Sequence, residues 1–311
     1  MGRMKTDLSL SFILKSAGLL MIALTALSSC RTLPEAPYPD ILGWLPPESD
    51  IMIRLNVPGN EELADMLISR AGLDVEDIPR IRERMAVLAI GLEIGKNGTD
   101  PQDLSIHLAT IGIWPKKLLG SALGKDWKRT SSPPRSWIGP DEYQLTALSG
   151  SELLFSRGKI DIMTERASGL QSSSGPSGMD ESLLGSDLTA WLTNTGIVME
   201  GLSMPVATNP DGSPLVKLVT MALRRNPAGG YSLILDAYPS EERAVGGLAF
   251  ALRLGLAARF GMSDDPMDRR ILSEMTVEAG TGSIRIAFDS LDLEMIDRLL
   301  NDLKIFPEVD V

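Results

Sequence analysis

Residues 85–94 read MAVLAIGLEI and residues 104–113 read LSIHLATIGI, with Lys96-Asn97-Gly98 between them. Each run is aliphatic and rich in β-branched residues, and Asn-Gly marks a tight turn between strands. Two strands joined this closely pair antiparallel. The same form recurs along the chain: 143–148 with 153–157 around Ser149-Gly150, 215–225 with 231–237 around 226–230, and 275–279 with 283–288 around Gly280-Thr281-Gly282. Helical stretches lie between these pairs. Hairpins interleaved with helices predict an α+β protein, with antiparallel sheets and helices packed on one face.

Outward from this core, Ser49-Asp50 opens a strand in which Ile51, Ile53 and Leu55 alternate with Met52, Arg54 and Asn56. The alternation predicts one buried face. Asn60 is placed to cap a helix with Glu61 and Glu62 in its first turn, where the dipole favours acids. Its buried stripe would be Leu63, Met66, Leu67 and Ala71. A short helix at 75–84 and a Pro115-led helix to Leu123 follow. After the Ser/Gly-rich stretch 168–182, read as a linker, the order restarts, and Ser186-Asp187-Leu188 repeats the pattern of Ser49-Asp50-Ile51. Ser240 is expected to cap a helix running to Phe260, Ser263 or Asp264 a short one, and Ser290 to precede a last helix over 291–303. Two halves, 49–167 and 183–311, thus share one element order, which predicts an internal duplication. The layout resembles duplicated α+β domains of unknown function in bacterial envelope proteins.

The first 29 residues read differently. Arg3, Lys5 and Lys15 precede the apolar run 17–27 (AGLLMIALTAL), and Leu27-Ser28-Ser29-Cys30 follows. A basic start, a short apolar segment and small residues at its exit describe a secretory signal peptide. The run is shorter than the ~20 residues of a membrane span. The motif resembles the lipobox of bacterial lipoproteins. That resemblance implies cleavage before Cys30 by signal peptidase II, acylation of Cys30, and attachment to a membrane of the cell envelope through the acyl chains. In that family an aspartate after the cysteine goes with inner-membrane retention. Arg31 stands there, so the resemblance points to the outer membrane. Residues 30–48 carry prolines at 34, 37, 39, 46 and 47 and read as an extended tether. Ile41, Leu42 and Trp44 make its end apolar enough to dock on the folded part.

Composition sets limits. The chain has 311 residues and a net charge of −11; the leader holds three basic residues against Asp7, so the remainder carries −13. Such a surface repels phosphates, which argues against nucleic acid as a partner. Cys30 is the only cysteine, so no internal disulfide staples the fold.

The sequence singles out no catalytic residue, cofactor site or metal site. His107 is the only histidine, it sits in a strand, and no nucleophile or orienting acid lies beside it in sequence. It reads as a satisfied strand histidine. Asp264, Asp265 and Asp268 crowd one loop but lack the spacing of a calcium loop, and read as helix-start acids. Gly246-Gly247 follows no strand-turn entry, and a Gly-x-Ser-x-Gly elbow is absent. The helix from Ser240 to Phe260 stands out: beyond Ala244 its only charges are Arg253 and Arg259. A helix apolar nearly all round is expected to be buried on most sides, or else to line a groove or partner surface. The expected function is a non-catalytic scaffold or interaction module of the envelope, partnered by an envelope protein or lipid. Its alternatives are a carrier with an apolar cavity and, third, a hydrolase whose residues no motif marks.

Overall fold

The computed structural model describes residues 33, 40–70, 79, 82–94, 104–114, 123, 125–130, 134–170, 183, 185–196, 214–227 and 229–302. The leader, Cys30, the turn at 96–98, the helix at 115–123 apart from Leu123, the linker 168–182 beyond residue 170 and most of the helix at 75–84 lie outside them. The chain divides into two compact units, residues 1–179 with 309–311, and residues 180–308.

In the first unit the strands are β1 (Ile51–Asn56), β2 (Met85–Ile94), β3 (Leu104–Gly112), β4 (Lys128–Arg129), β5 (Arg135–Ile138), β6 (Tyr143–Ala147) and β7 (Glu152–Arg157). They lie in the order β1-β2-β3-β7-β6-β5-β4, each antiparallel to its neighbour. Helix α1 (Glu61–Arg70) follows β1, and α2 (Ile160–Ala167) follows β7. The sequence reading missed α2 and the short β4 and β5. One sheet face carries a cluster of Ile106, Trp114, Leu145, Leu153 and Phe155, with the Tyr143 ring stacked 5.0 Å from that of Phe155. Over Gly91 lies the end of the tether: Ile41–Trp44 forms a single 3-10 turn, and Ile41, Leu42, Trp44 and Leu45 are all buried. A β-carbon at Gly91 would stand 2.8 Å from Ser49 Oγ and 3.5 Å from Leu45 Cδ1, so glycine makes the room for this strap. Arg166 of α2 donates to the Gly43 carbonyl at 2.6 Å. Each such buried apolar side chain contributes about 1.5–3 kcal/mol, so the strap is held chiefly by burial.

The second unit holds β8 (Leu188–Leu192), β9 (Val216–Arg225), β10 (Tyr231–Pro239), β11 (Met275–Ala279) and β12 (Ile284–Leu291), in the order β8-β9-β10-β12-β11. Helices α3 (Val245–Gly261), α4 (Pro266–Glu274) and α5 (Leu293–Asp302) complete it. Its strand order repeats β1-β2-β3-β7-β6, with β4 and β5 an addition at the edge of the first unit. The repeat extends to single bonds. Asp50 Oδ2 accepts from the Ile94 amide at 2.6 Å, and Asp187 Oδ2 accepts from the Arg225 amide at 2.6 Å. In both units the aspartate of the Ser-Asp pair fastens the start of one strand to the end of the next.

Several local expectations are corrected. Residues 51–55 of β1 are all buried, so the alternation does not mark an exposed face. Ser240 donates its hydroxyl to the Pro214 carbonyl instead of capping a helix, and a 3-10 turn (Glu242–Ala244) leads into α3. Asp265, not Ser263 or Asp264, caps α4 by accepting from the Met267 amide. Asp292 plays that part for α5, accepting from the Met295 amide at 2.9 Å.

Candidate functional site

Antiparallel register places Gly91, His107 and Ser156 side by side on β2, β3 and β7. His107 and Ser156 are both 0% exposed. His107 Nδ1 stands 2.8 Å from Ser156 Oγ, and Nε2 stands 3.1 Å from Glu93 Oε1. Lys159 Nζ lies 2.8 Å from the same carboxylate oxygen and also pairs with Glu48 of the strap. The Lys159 amide donates to Ser156 Oγ at 3.2 Å. An ionised carboxylate only accepts, so Nε2 carries the ring proton and donates to Glu93. Nδ1 then accepts from the Ser156 hydroxyl. The bonds form a closed circuit from the backbone of Lys159 through Ser156, His107 and Glu93 back to the side chain of Lys159.

The charges follow this geometry. Burial pushes the His107 pKa below its usual value; the Glu93 carboxylate opposes the shift and the Lys159 ammonium assists it. For Lys159 burial pulls downward, but the ion pairs with Glu48 and Glu93 outweigh it and the net direction is up. The hydrogen bond from Lys159 holds Glu48 below the usual carboxylate range.

Serine, histidine and glutamate in line are the parts of a nucleophilic relay. Access is missing. Both Ser156 and His107 are sealed from solvent, and Ser156 Oγ is already occupied by the Lys159 amide. As built, the circuit binds strand, turn and strap together. Ser156→Ala is expected to leave His107 Nδ1 and the Lys159 amide unpaired, lowering stability by about 1–3 kcal/mol. Urea titration of the variant against the parent measures it; an unchanged midpoint would dissolve the circuit as described.

The second unit supplies an internal control. Aligning Asp50 with Asp187 puts Ala222, Ile234 and Ala287 where the first unit has Gly91, His107 and Ser156. There Ala222 is buried while Ile234 and Ala287 are half-buried, so the repeated strand order carries this row without polar side chains. Among the described residues the circuit belongs to the first unit alone. Sequence reading found His107 but not Ser156, Glu93, Lys159 or Glu48, because the partners lie up to 59 positions away, as with Glu48. A lone serine, Ser156, closing the apolar run Leu153-Leu154-Phe155 was the available signal.

The acidic loop resolves into structure: Asp265 caps α4, and buried Asp268 accepts from Arg298 Nε at 3.2 Å. Among the described residues, no group of three His, Cys, Asp or Glu could hold a metal ion.

Helix α3 departs from expectation. Only Val245, Ala249, Leu252, Leu256 and Phe260 are buried, a stripe along one side. Phe250 is 67%, Leu254 61% and Met262 84% exposed, and Gly247, Ala251, Ala257, Ala258 and Gly261 lie outward with them. It is not enclosed on most sides; it turns an apolar face to solvent. The stretch Glu242–Gly261 is, by length and composition, apolar enough to cross a membrane, the one such helix among the described residues.

No family model matches the chain, and no curated protein matches it. Solved structures do. Crystal form I of TP0453 aligns with a TM-score of 0.57 at 13% identity, over 86% of this chain and 99% of that one. Crystal form III of TP0453 gives 0.58 at 12% identity over the same shares, and crystal form IV 0.54 at 14% identity over 84% and 96%. At these identities the likeness is one of fold.

Proposed function

We propose that this chain is a lipid-anchored protein of the cell envelope, attached through acylated Cys30, and that it works without catalysis as an interaction module. The observation that carries the reading is the outward face of α3. Soluble surfaces scatter single apolar residues; Phe250 and Leu254 instead share one helix, with Met262 at its C-cap, among outward glycines and alanines and with no acid between Val245 and Gly261. Such a face fits an apolar partner, an envelope protein or a lipid. The sealed Ser156–His107 pair supports a non-catalytic role. Arg31 after the cysteine supports placement at the outer membrane.

Leu254→Asp in the acylated chain tests the working surface. The variant is expected to melt like the parent, because Leu254 is exposed, and to lose the proteins captured from its own envelope or its binding to phospholipid vesicles. Full retention of both would remove α3 from the proposal. Cys30→Ser tests the anchor separately: membrane attachment should fall to background, with an uncleaved or soluble product. A Cys30→Ser protein still in the membrane fraction at parental size and amount would rule out acylation as the anchor.

A further inference from the structure

The strap and the buried circuit meet at Lys159, and the second unit repeats the strand order without the circuit. The strand order itself does not call for polar groups here, since buried Ala222 and half-buried Ile234 and Ala287 stand in the same row of the second unit. What the first unit gains is a histidine wired to the segment that ends the tether. We propose that residues 41–49 form a strap whose docking is governed by protonation of His107, acid raising the frequency with which the strap lifts.

The groups that face His107 are Glu93 from β2, Lys159 from the turn before α2, Glu48 from the strap and Ser156 from β7. With the ring neutral, every bond in the circuit has a donor and an acceptor. A second ring proton turns Nδ1 from acceptor to donor. Ser156 Oγ then faces two donors, the ring and the Lys159 amide, and its own hydrogen loses its acceptor. The new cation also competes with Lys159 for one oxygen, Glu93 Oε1, the link that steadies the ammonium against Glu48. Both effects fall on the turn at Lys159 and on the sheet beneath the strap.

The sign follows from burial. A histidine whose folded pKa lies below its free value favours the closed state fully above about 6.5 and loses that contribution as pH falls from there. Glu48, held low by Lys159, loses its contribution only below about 4.5. The two windows are separate. Four buried apolar side chains keep the strap mostly closed in either state, so the effect is a change in opening frequency, about tenfold for each unit of displacement in pKa.

Hydrogen exchange of the full chain at about pH 7.5 and about pH 5.5, corrected for the intrinsic effect of pH, reads the opening directly. Peptides covering 41–49 should open more often in acid, by at most about tenfold one pH unit below the free imidazole value, while those covering Leu188–Leu192 stay unchanged. In His107→Gln the dependence should vanish. An equal rise in that variant, or none in the parent, overturns the proposal. Should His107→Gln fail to fold, the parent decides alone: His107 is the only histidine, so its ring proton resonance titrates without overlap. The midpoint of that titration must coincide with the midpoint of strap opening, and two separate midpoints overturn the inference.

Discussion

Leu252→Asp is expected to abolish the folded state of the second unit. Leu252 sits in the buried stripe of α3, between Ala249 and Leu256, at 3% exposure. The change removes about 1.5–3 kcal/mol of apolar burial and puts an unpaired carboxylate in its place, at a further cost of several kcal/mol. That sum is comparable to the whole stability of a domain, about 5–15 kcal/mol. Leu254→Asp, two positions on, faces water and should shift stability by no more than about 0.5 kcal/mol. Thermal melts of the two variants side by side form a single test. If both melt alike, α3 has no inner and outer face, and the stripe described here is wrong.

Gly112→Ala should be nearly as damaging in the first unit, for a reason of space alone. A β-carbon there would stand 2.1 Å from the Arg84 carbonyl oxygen and 3.2 Å from Met85 Cα. The obstacle is main chain, which cannot swing aside. It is also engaged, since the Ile113 amide donates to that same carbonyl at 2.8 Å. One methyl group therefore prises β3 from the start of β2, and a loss of about 3 kcal/mol is expected, at the upper end for overpacking. Denaturant midpoints of Gly112→Ala and parent measure it. A loss below about 1 kcal/mol would mean that the pinch between the two strands relaxes freely.

The strands were legible because their signals are local. The limits of β2 were read to the residue, and those of β3, β6, β7, β9 and β10 to within two, from apolar runs bounded by Asn-Gly, Ser-Gly and Gly-Gly turns. The Ser-Asp repeat was visible too, though only the structure shows its function, a side chain fastening the neighbouring strand. Caps were misplaced by one or two positions because Ser and Asp stand together at 263–265 and 289–292, and hydrogen-bond reach rather than residue type decides between them. Helix α2 was missed because Ile160-Asp161-Ile162-Met163 is short and opens on Lys159, which makes no side-chain cap. The candidate site was invisible for another reason. His107 reaches Ser156 only through strand pairing across 49 positions, and Glu48 enters from a tether whose end reads as docking through Ile41, Leu42 and Trp44, with no sign of a polar link at Glu48. Composition told that α3 was apolar but not which way it faced, since the stripe at 245, 249, 252, 256 and 260 is no more hydrophobic than Phe250 and Leu254 beside it.

The docked strap also fixes a length. On the proposed anchoring, the leash from Cys30 to the folded body ends where residue 41 meets the sheet, not at β1. Lifting residues 41–49 would pay out nine more residues, up to about 30 Å of extended chain. A protein on the short leash works on whatever lies within reach of its own bilayer. On the long one it can reach briefly toward a second surface, so one buried imidazole would set how often, and not how far, the apolar face of α3 is presented beyond its resting distance from the membrane.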